Sequence, residues 1–351
     1  MDERPRQILP QRQSPGQFLG LMAGAIMLIV VGICLLPHSR FVRFNSLTEA
    51  AVVKAGWIYE RIHHDPTPLD IMFIGTSRSV FGVNSTAVES AYRRSTGQNL
   101  HVVNFAMQHL GRDLHYLLAR EALLNRTVKL LVLEVTEDEP RDLHPAFGPL
   151  AEASDILRAP LFINVSYFAN LGRLPLRQIQ LFLQTSLPGA YGTTLAFTPA
   201  KFRGAQWDDT YAATGSFDHP IHPVVPRLQS HTEAELEQQR LQSVRAIARK
   251  LALPPAFHQM ERRANLSYVQ AIAELARKQG VEIRFLMMPQ HVAAAPIFSA
   301  FYQQYGPIWS PGPAIADPKL WTDINHLNHA GAMALAPWLA GQITSLMPNK
   351  P

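Results

Sequence analysis

The sequence predicts an α/β domain, in which a parallel sheet is covered by helices on both faces, and one transmembrane helix before it. Three observations carry this prediction: an uncharged stretch near the N-terminus, apolar runs of strand length, and amphipathic helical patterns that alternate with those runs. With 351 residues, 47% of them hydrophobic and 17% charged, the chain is neither a disordered protein nor a transporter with many spans. The net charge is +5 without any run of five basic residues, so the composition shows no nucleic-acid footprint.

The uncharged stretch covers residues 18–36 and is followed by Pro37. At about 1.5 Å per residue it matches a hydrocarbon core of roughly 30 Å. A cleaved signal peptide is the alternative, but its apolar region is usually about 7–15 residues long and ends in a small-x-small site. We therefore predict a cytoplasmic tail (1–17), an uncleaved signal-anchor (18–36) and one large domain (45–351).

We favour a single-pass protein of the inner (cytoplasmic) membrane, with its domain on the extracytoplasmic, periplasmic side. Charge alone does not fix the orientation, because equal numbers of basic residues flank the span. These residues are Arg4, Arg6 and Arg12 before it and Arg40, Arg43 and Lys54 after it.

Four apolar runs have the length and composition of strands that are buried on both faces. They are residues 71–75, 101–105, 130–135 and 281–289. Helical patterns occupy residues 46–63, 84–94, 113–124, 266–278 and 329–346. Ser46-x-x-Glu49 resembles a capping box at the start of the first helix, and Pro337 is expected to kink or split the last one.

A long insertion, about residues 137–259, separates the third strand from the fourth. Long insertions in α/β domains often carry binding function, and decoration of the surface is the simpler alternative. A helix over 232–251, begun by the capping box Thr232-x-x-Glu235, closes the insertion. Residues 174–187 form either an ordinary core helix or an amphipathic helix that lies on a membrane surface.

The first strand leads directly into Gly75-Thr76-Ser77-Arg78-Ser79. A glycine permits a tight turn at the end of a strand, and a serine just before a helix lies among free backbone N–H groups. This arrangement suits a nucleophile whose product oxyanion needs donors, so Ser77 is the candidate and Ser79 the alternative. Arg78 is a candidate for binding an anionic substrate, and a salt bridge within the chain is the other interpretation.

A second motif, Asp323-x-x-His326, lies near the C-terminus before the last helix. A carboxylate three residues before a histidine can bind one imidazole nitrogen and leave the other as a base. Ser77, His326 and Asp323 are therefore the predicted catalytic residues, and we expect a loop to carry the last two.

These motifs resemble those of the SGNH (GDSL-type) serine hydrolases and acyltransferases, which have a three-layer, flavodoxin-like α/β/α fold. The segment FIGTSRS (73–79) is similar to their first block, with Thr76 where aspartate is usual. VVNFAMQHLGRD (102–113) is similar to the second block, with Gly111 as its glycine, and DINHLNHAGA (323–332) is similar to the last. The asparagine of the third block is missing from LVLEVTEDE (131–139). In this respect the chain looks like the divergent, membrane-anchored members, which include alginate O-acetylation proteins and the D-alanyl-transfer protein of teichoic-acid modification.

The resemblance implies that Ser77 attacks an acyl carbonyl, that His326 is the base and that Asp323 orients the imidazole. It also implies an oxyanion hole formed by the amides of Ser77 and Gly111. Asn104, Gln108 and Thr136 are the candidates to replace the missing asparagine, and Asn104 is the one we assign to the oxyanion hole, with bracing of the loops as its alternative role.

The expected function is that of a membrane-anchored serine acyltransferase or esterase that acts on an envelope or secreted polysaccharide. A membrane-bound O-acyltransferase or a polymer synthase would be its partner. The alternatives are an esterase for small esters or lipids and a degenerate scaffold that binds glycan. No cofactor is predicted, and no metal site: Cys34 is the single cysteine, and no histidine pair has the His-Glu-x-x-His form.

Overall fold

The computed structural model describes residues 14–48, 52–136, 143–161, 164, 166–214, 230–248, 254, 257–291, 299–311 and 315–347. Within these ranges the protein is a mixed α/β structure with a five-stranded parallel sheet. The strands are β1 (Ile71–Ile74), β2 (Val102–Asn104), β3 (Leu130–Val135), β4 (Glu282–Met287) and β5 (Ile308–Trp309), in the order β2-β1-β3-β4-β5.

The helices of the described residues lie before, between and after these strands. The first six are α1 (Pro15–Cys34), α2 (Arg40–Asn45), α3 (Lys54–His63), α4 (Ser77–Gly82), α5 (Ser85–Thr96) and α6 (Arg112–Asn125). The insertion and the C-terminal part add α7 (Phe147–Leu150), α8 (Ala153–Arg158), α9 (Tyr167–Ser186), α10 (Pro188–Tyr191), α11 (Trp207–Thr214), α12 (Glu233–Ala248), α13 (His258–Lys278), α14 (Ser299–Gln303) and α15 (His329–Leu346).

The hydrophobic core lies in two clusters, because successive side chains of a strand point to opposite faces of the sheet. Met72 and Ile74 of β1 belong to a cluster with residues of α3, α6 and α13. Ile71 and Phe73 belong to a second cluster with residues of α5 and α15. All four side chains of β1 are buried, as the sequence predicts for a strand covered on both sides.

Helix α1 is long and apolar enough to cross a membrane and is the single such helix among the described residues. From Pro15 to Gly32 its residues are exposed, and the chain becomes partly buried at Ile33 and Cys34. Phe41 and Phe44 of α2 are buried, so the packed part of the chain begins before the predicted boundary at residue 45.

One local prediction is wrong, and one of the two alternatives in another is excluded. Ser46 follows α2 rather than starting a helix, and its hydroxyl donates to the carbonyl of Arg43 (2.9 Å); Glu49, its expected partner, lies outside the described residues. Helix α15 continues through Pro337 without a break, which removes the predicted split. The predicted capping box of α12 is confirmed, since the Glu235 amide donates to Thr232 Oγ1 and the Thr232 amide to Glu235 Oε2.

Candidate active site

The turn that carries Ser77 follows β1 and comprises residues 75–79; we call it the first turn. Gly75 is required there, because a Cβ atom would lie 2.4 Å from Glu134 Oε2 and 2.5 Å from Ser79 Oγ. Thr76 is the N-cap of α4, and its hydroxyl accepts a hydrogen bond from the Arg78 amide (3.3 Å). Ser77 is therefore the first residue of α4, directly beyond the edge of the sheet.

A buried carboxylate, Glu134, fixes the first turn. Its Oε1 accepts from Thr76 Oγ1 (2.7 Å), and its Oε2 accepts from the Thr76 amide (2.8 Å), the Ser79 amide (3.2 Å) and Ser79 Oγ (2.5 Å). Sequence reasoning did not identify Glu134. The signal was the one acidic residue in the apolar run LLVLEV, since a charge in a strand that is buried on both faces needs partners.

Ser79 is held by this network and is wrong as the alternative nucleophile. Its side chain is 1% exposed and its hydroxyl is bound to Glu134. Ser77, two residues earlier, is partly exposed. The first turn therefore presents one serine to solvent and uses the other for its own structure.

Asn104, at the end of β2, is also a bracing residue. Its Nδ2 donates to the carbonyls of Ser79 (2.7 Å) and Val83 (3.0 Å), and its Oδ1 accepts from the Ala106 amide (3.0 Å). An amide nitrogen has two hydrogens, and both are used. Asn104 thus has no hydrogen left for an oxyanion, and its assignment to the oxyanion hole is corrected to the alternative role of brace.

The second motif lies on a tight hairpin rather than on a simple loop. Strands β6 (Trp321–Asp323) and β7 (His326–Leu327) are antiparallel, and Asp323 pairs with His326 across the two-residue turn. Asp323 Oδ1 accepts from the amides of Asn325 (2.8 Å) and His326 (3.0 Å), which closes the turn. Asn328 follows as the N-cap of α15, with its Oδ1 accepting from the Gly331 amide (2.9 Å).

The three predicted catalytic side chains meet in one hydrogen-bonded line. His326 Nδ1 lies 2.8 Å from both Asp323 oxygens, and His326 Nε2 lies 2.8 Å from Ser77 Oγ. Because a carboxylate only accepts, Nδ1 carries the proton and Nε2 accepts from the serine hydroxyl. The Phe81 ring packs edge-on against the imidazole, with ring centroids 5.8 Å apart, and restricts its orientation.

Burial of Asp323 would raise the pKa of its carboxyl group. The hydrogen bond from His326, the electrostatic attraction of that ring and the two backbone amides act in the opposite direction and are stronger, so the pKa is lower than usual. Asp323 is therefore ionised at neutral pH. An ionised partner at Nδ1 stabilises an imidazolium, which is the state that His326 reaches when it removes a proton from Ser77.

A second turn, residues 106–111, follows β2 at the same edge of the sheet, because β1 and β2 are adjacent parallel strands. Gly111 has φ +147°, a conformation that favours glycine, and a Cβ there would lie 2.2 Å from the His144 amide nitrogen. His144 Nε2 donates to the Gln108 carbonyl (2.6 Å), since its Nδ1 accepts from the Ala146 amide (3.0 Å). Burial lowers the pKa of His144 to about 4, which keeps this ring neutral.

The carboxyl group of Asp113 supports the second turn through His144. Its Oδ1 accepts from the His144 amide (2.9 Å), whereas its Oδ2 is buried without a hydrogen-bond partner in the part of the chain that the structure describes. Burial raises the pKa of Asp113 to about 7, and the backbone amides of His144 and Leu114 oppose that shift.

Two backbone amides and one hydroxyl in the turns after these strands are the candidate oxyanion donors. Within the described ranges neither the Ser77 amide nor the Gly111 amide donates to another residue. Thr136, directly after β3, is buried, and its Oγ1 has no partner there either. A buried polar atom without a partner costs about 1–3 kcal/mol, so it calls for an explanation.

The remaining predicted residues are less defined. Arg78 is partly exposed next to Ser77 and makes an interaction within the chain, so substrate binding by Arg78 stays a prediction. Gln108 likewise makes an interaction of its own, besides the bond that its carbonyl accepts. Of the histidine pairs, His63 contacts Glu121 Oε1 (2.6 Å), and His219 and His222 lie outside the described residues.

The arrangement has the groups that acyl transfer requires: a hydroxyl that is hydrogen-bonded to a base, an ionised carboxylate that binds the other nitrogen of that base, and hydrogen-bond donors at the same edge of the sheet. Neither the comparison of the sequence with models of known families nor the comparison with curated proteins gives a match.

Proposed function

We propose that the chain is a serine O-acyltransferase or esterase of the SGNH type, anchored in the inner membrane by α1, with its domain on the periplasmic side. The substrate class is an O-acylated cell-envelope or secreted polysaccharide. The observation that carries the proposal is the line Asp323–His326–Ser77, with 2.8 Å at each step. The two core clusters on the faces of the sheet support the three-layer arrangement of that superfamily.

In the first half of the reaction, Ser77 Oγ attacks the acyl carbonyl and its proton moves to His326 Nε2. The carbonyl oxygen becomes an oxyanion, and the Ser77 and Gly111 amides and the Thr136 hydroxyl are its proposed donors. The C–O bond to the leaving alcohol then breaks, and His326 returns the proton to that alcohol. An acyl-Ser77 intermediate remains.

In the second half, an acceptor hydroxyl loses its proton to His326 and attacks the acyl-Ser77 carbonyl. The bond between the acyl carbon and Ser77 Oγ then breaks, and His326 returns the proton to Ser77 Oγ, which restores the free enzyme. A sugar hydroxyl as acceptor gives transfer, and water gives hydrolysis. Transfer requires an acyl donor, for which a membrane-bound O-acyltransferase is the proposed partner. The resemblance to envelope O-acetylation proteins favours transfer. Anchoring is consistent with it, because an anchored enzyme meets the polymer as the polymer emerges.

The first test is labelling with a fluorophosphonate probe, which reacts with activated serines. We expect the wild type and Ser79→Ala to be labelled and Ser77→Ala to be unlabelled, with all three melting cooperatively. Ser79→Ala is the matched control, since it removes a hydroxyl from the same turn. A folded wild type that stays unlabelled would identify the chain as a degenerate scaffold.

The second test concerns the substrate. In a strain lacking the gene, the wild type should restore acylation of the polysaccharide and Ser77→Ala should not, as read from the ester content of the purified polymer. Unchanged polymer together with rapid hydrolysis of short nitrophenyl esters would instead indicate an esterase for small substrates.

A further inference from the structure

The insertion contains a stretch without any acidic residue. Residues 156–206 hold five Lys or Arg residues and no Asp or Glu, in a chain whose total is 32 basic and 27 acidic residues. We call this stretch the acid-free segment. It carries by itself a charge equal to the net charge of the whole protein, +5, so it is a local cationic region in an otherwise balanced chain.

The acid-free segment lies where the chain leaves α1. Helix α9 packs against the end of α1, and Gln178 Nε2 donates to the carbonyl of Leu36 (2.6 Å). Thr185 Oγ1 accepts from the Ser39 amide (3.0 Å). If α1 spans the membrane, as the proposed function has it, α9 lies at the level of the lipid headgroups.

The surface of the segment is apolar as well as cationic. Six of its large apolar side chains are 49–72% exposed: Leu157, Leu161, Phe168, Leu176, Leu187 and Tyr191. Arg173 is exposed on α9 between Phe168 and Leu176. Exposed apolar side chains interspersed with cations, without acidic residues, are the pattern of a surface that lies on an anionic bilayer.

A cavity of about 370 Å³ lies beside α9, with Arg173, Arg177 and Gln180 in its wall next to Leu176. Arg177 Nη1 donates to the Ala151 carbonyl (2.8 Å), while Nε and Nη2 are buried without a hydrogen-bond partner among the described residues. Guanidinium N–H groups without partners are suited to a phosphate oxygen.

From the charge, the exposed apolar side chains and the continuity with α1, we propose that the acid-free segment docks on an anionic phospholipid bilayer. The cavity beside α9 receives a lipid phosphate, and Phe168 and Leu176 enter the headgroup–acyl boundary. This docking fixes the orientation of the domain relative to the membrane. It rests on the proposed anchor but not on the proposed chemistry.

The test uses the full chain, reconstituted in vesicles that contain doxyl-labelled lipid. Because Cys34 is the single cysteine, Cys34→Ala gives a background for one fluorescent NBD label at a time. The labelled positions are Leu176→Cys, Leu28→Cys in α1, and Leu124→Cys, an exposed leucine outside the segment (57%). Vesicles of phosphatidylglycerol are compared with vesicles of phosphatidylcholine.

We expect the lipid to quench the label at position 28 in both kinds of vesicle. Quenching of the label at position 176 should be at least about twofold stronger in phosphatidylglycerol than in phosphatidylcholine, and the label at position 124 should not be quenched. Arg173→Glu should abolish the quenching at 176, whereas Arg94→Glu, an exposed arginine of α5, should leave it unchanged; melting curves verify that each variant is folded.

Quenching at 28 without quenching at 176 would overturn the docking and leave the anchor intact. Absence of quenching at 28 would contradict the anchor instead. Equal quenching of the label at position 176 in both lipids, unaffected by Arg173→Glu, would overturn the docking on an anionic bilayer. Disulfide-linked dimers of unlabelled Leu176→Cys without lipid quenching would identify a second copy of the chain as the occupant.

Discussion

The first and second turns lie side by side at the same edge of the sheet, and a buried carboxyl group supports each of them. Glu134 accepts four hydrogen bonds from the first turn, two at backbone amides and two at hydroxyls. Asp113 supports the second turn with a single oxygen, bound to the amide of His144, and its other oxygen has no partner in the described residues.

This difference separates two roles. A fully bonded carboxylate holds the backbone rigidly, as a nucleophile requires, because a displacement of about 1 Å can cost about 100-fold in rate. Burial raises the pKa of Asp113 to about 7, so the group that supports the second turn changes its protonation near neutral pH. The first turn is therefore the rigid part of the candidate site and the second its pH-sensitive part.

The largest effect is expected from Gly111→Ala. The new Cβ would collide with the His144 amide at φ +147°, which displaces the second turn and its amide. Loss of one oxyanion donor typically lowers kcat by about 10²–10³. Gly97→Ala is the control, since Gly97 also has positive φ (+73°) but no atom within 4 Å of the added Cβ. It should cost stability alone, and a similar loss of kcat in both variants would contradict the role of Gly111.

Glu134→Gln should lower kcat by about 100-fold, because the new NH₂ group faces N–H and O–H donors and displaces the first turn. Glu121→Gln is the matched variant, because Glu121 is also buried but binds Arg40 of α2 and His63 of α3. Both substitutions should lower the Tm. If kcat falls equally in both, Glu134 acts through general stability and the comparison of the two turns fails.

Thr136→Val removes the hydroxyl that lacks a partner and keeps the shape of the side chain. We expect kcat to fall about tenfold, since one neutral hydrogen bond is worth roughly 1 kcal/mol, while the Tm stays the same or rises. Thr136→Ser should restore most of the rate. Full activity of Thr136→Val with a raised Tm would show that the hydroxyl binds no oxyanion.

The smallest effect is a pH dependence of stability. In the folded state Asp113 keeps its proton up to about pH 7, whereas in the unfolded chain it ionises near 3.8. Its contribution to the free energy of unfolding therefore falls as the pH rises through this window. Between pH 5 and pH 8 the wild type should lose on the order of 1–3 kcal/mol in its free energy of unfolding through this group, as measured by urea denaturation, and Asp113→Asn should not show this loss. Parallel curves for the two proteins would contradict the raised pKa.

Much of the fold could be predicted from the sequence, because strands buried on both faces leave continuous apolar runs. The predicted strand 130–135 coincides with β3, and the predicted helix 329–346 coincides with α15. Strand β5 has two residues, too few for any pattern, and the β6–β7 hairpin is defined by pairing rather than by composition. Ser46 has the side chain of a helix N-cap but follows α2, since local propensity is overruled by packing.

The sequence by itself determined the long apolar helix α1, the order of strands and helices, and the residue types of a serine, a histidine and an aspartate at strand ends and turns. These properties depend on neighbours within a few positions. The tertiary structure decided which serine faces the histidine, because Ser77 and His326 are 249 positions apart and Glu134 holds Ser79 on the other side of the turn. It also decided that Asn104 is a brace and that the acid-free segment lies at the end of α1, since contacts between distant residues have no local signature.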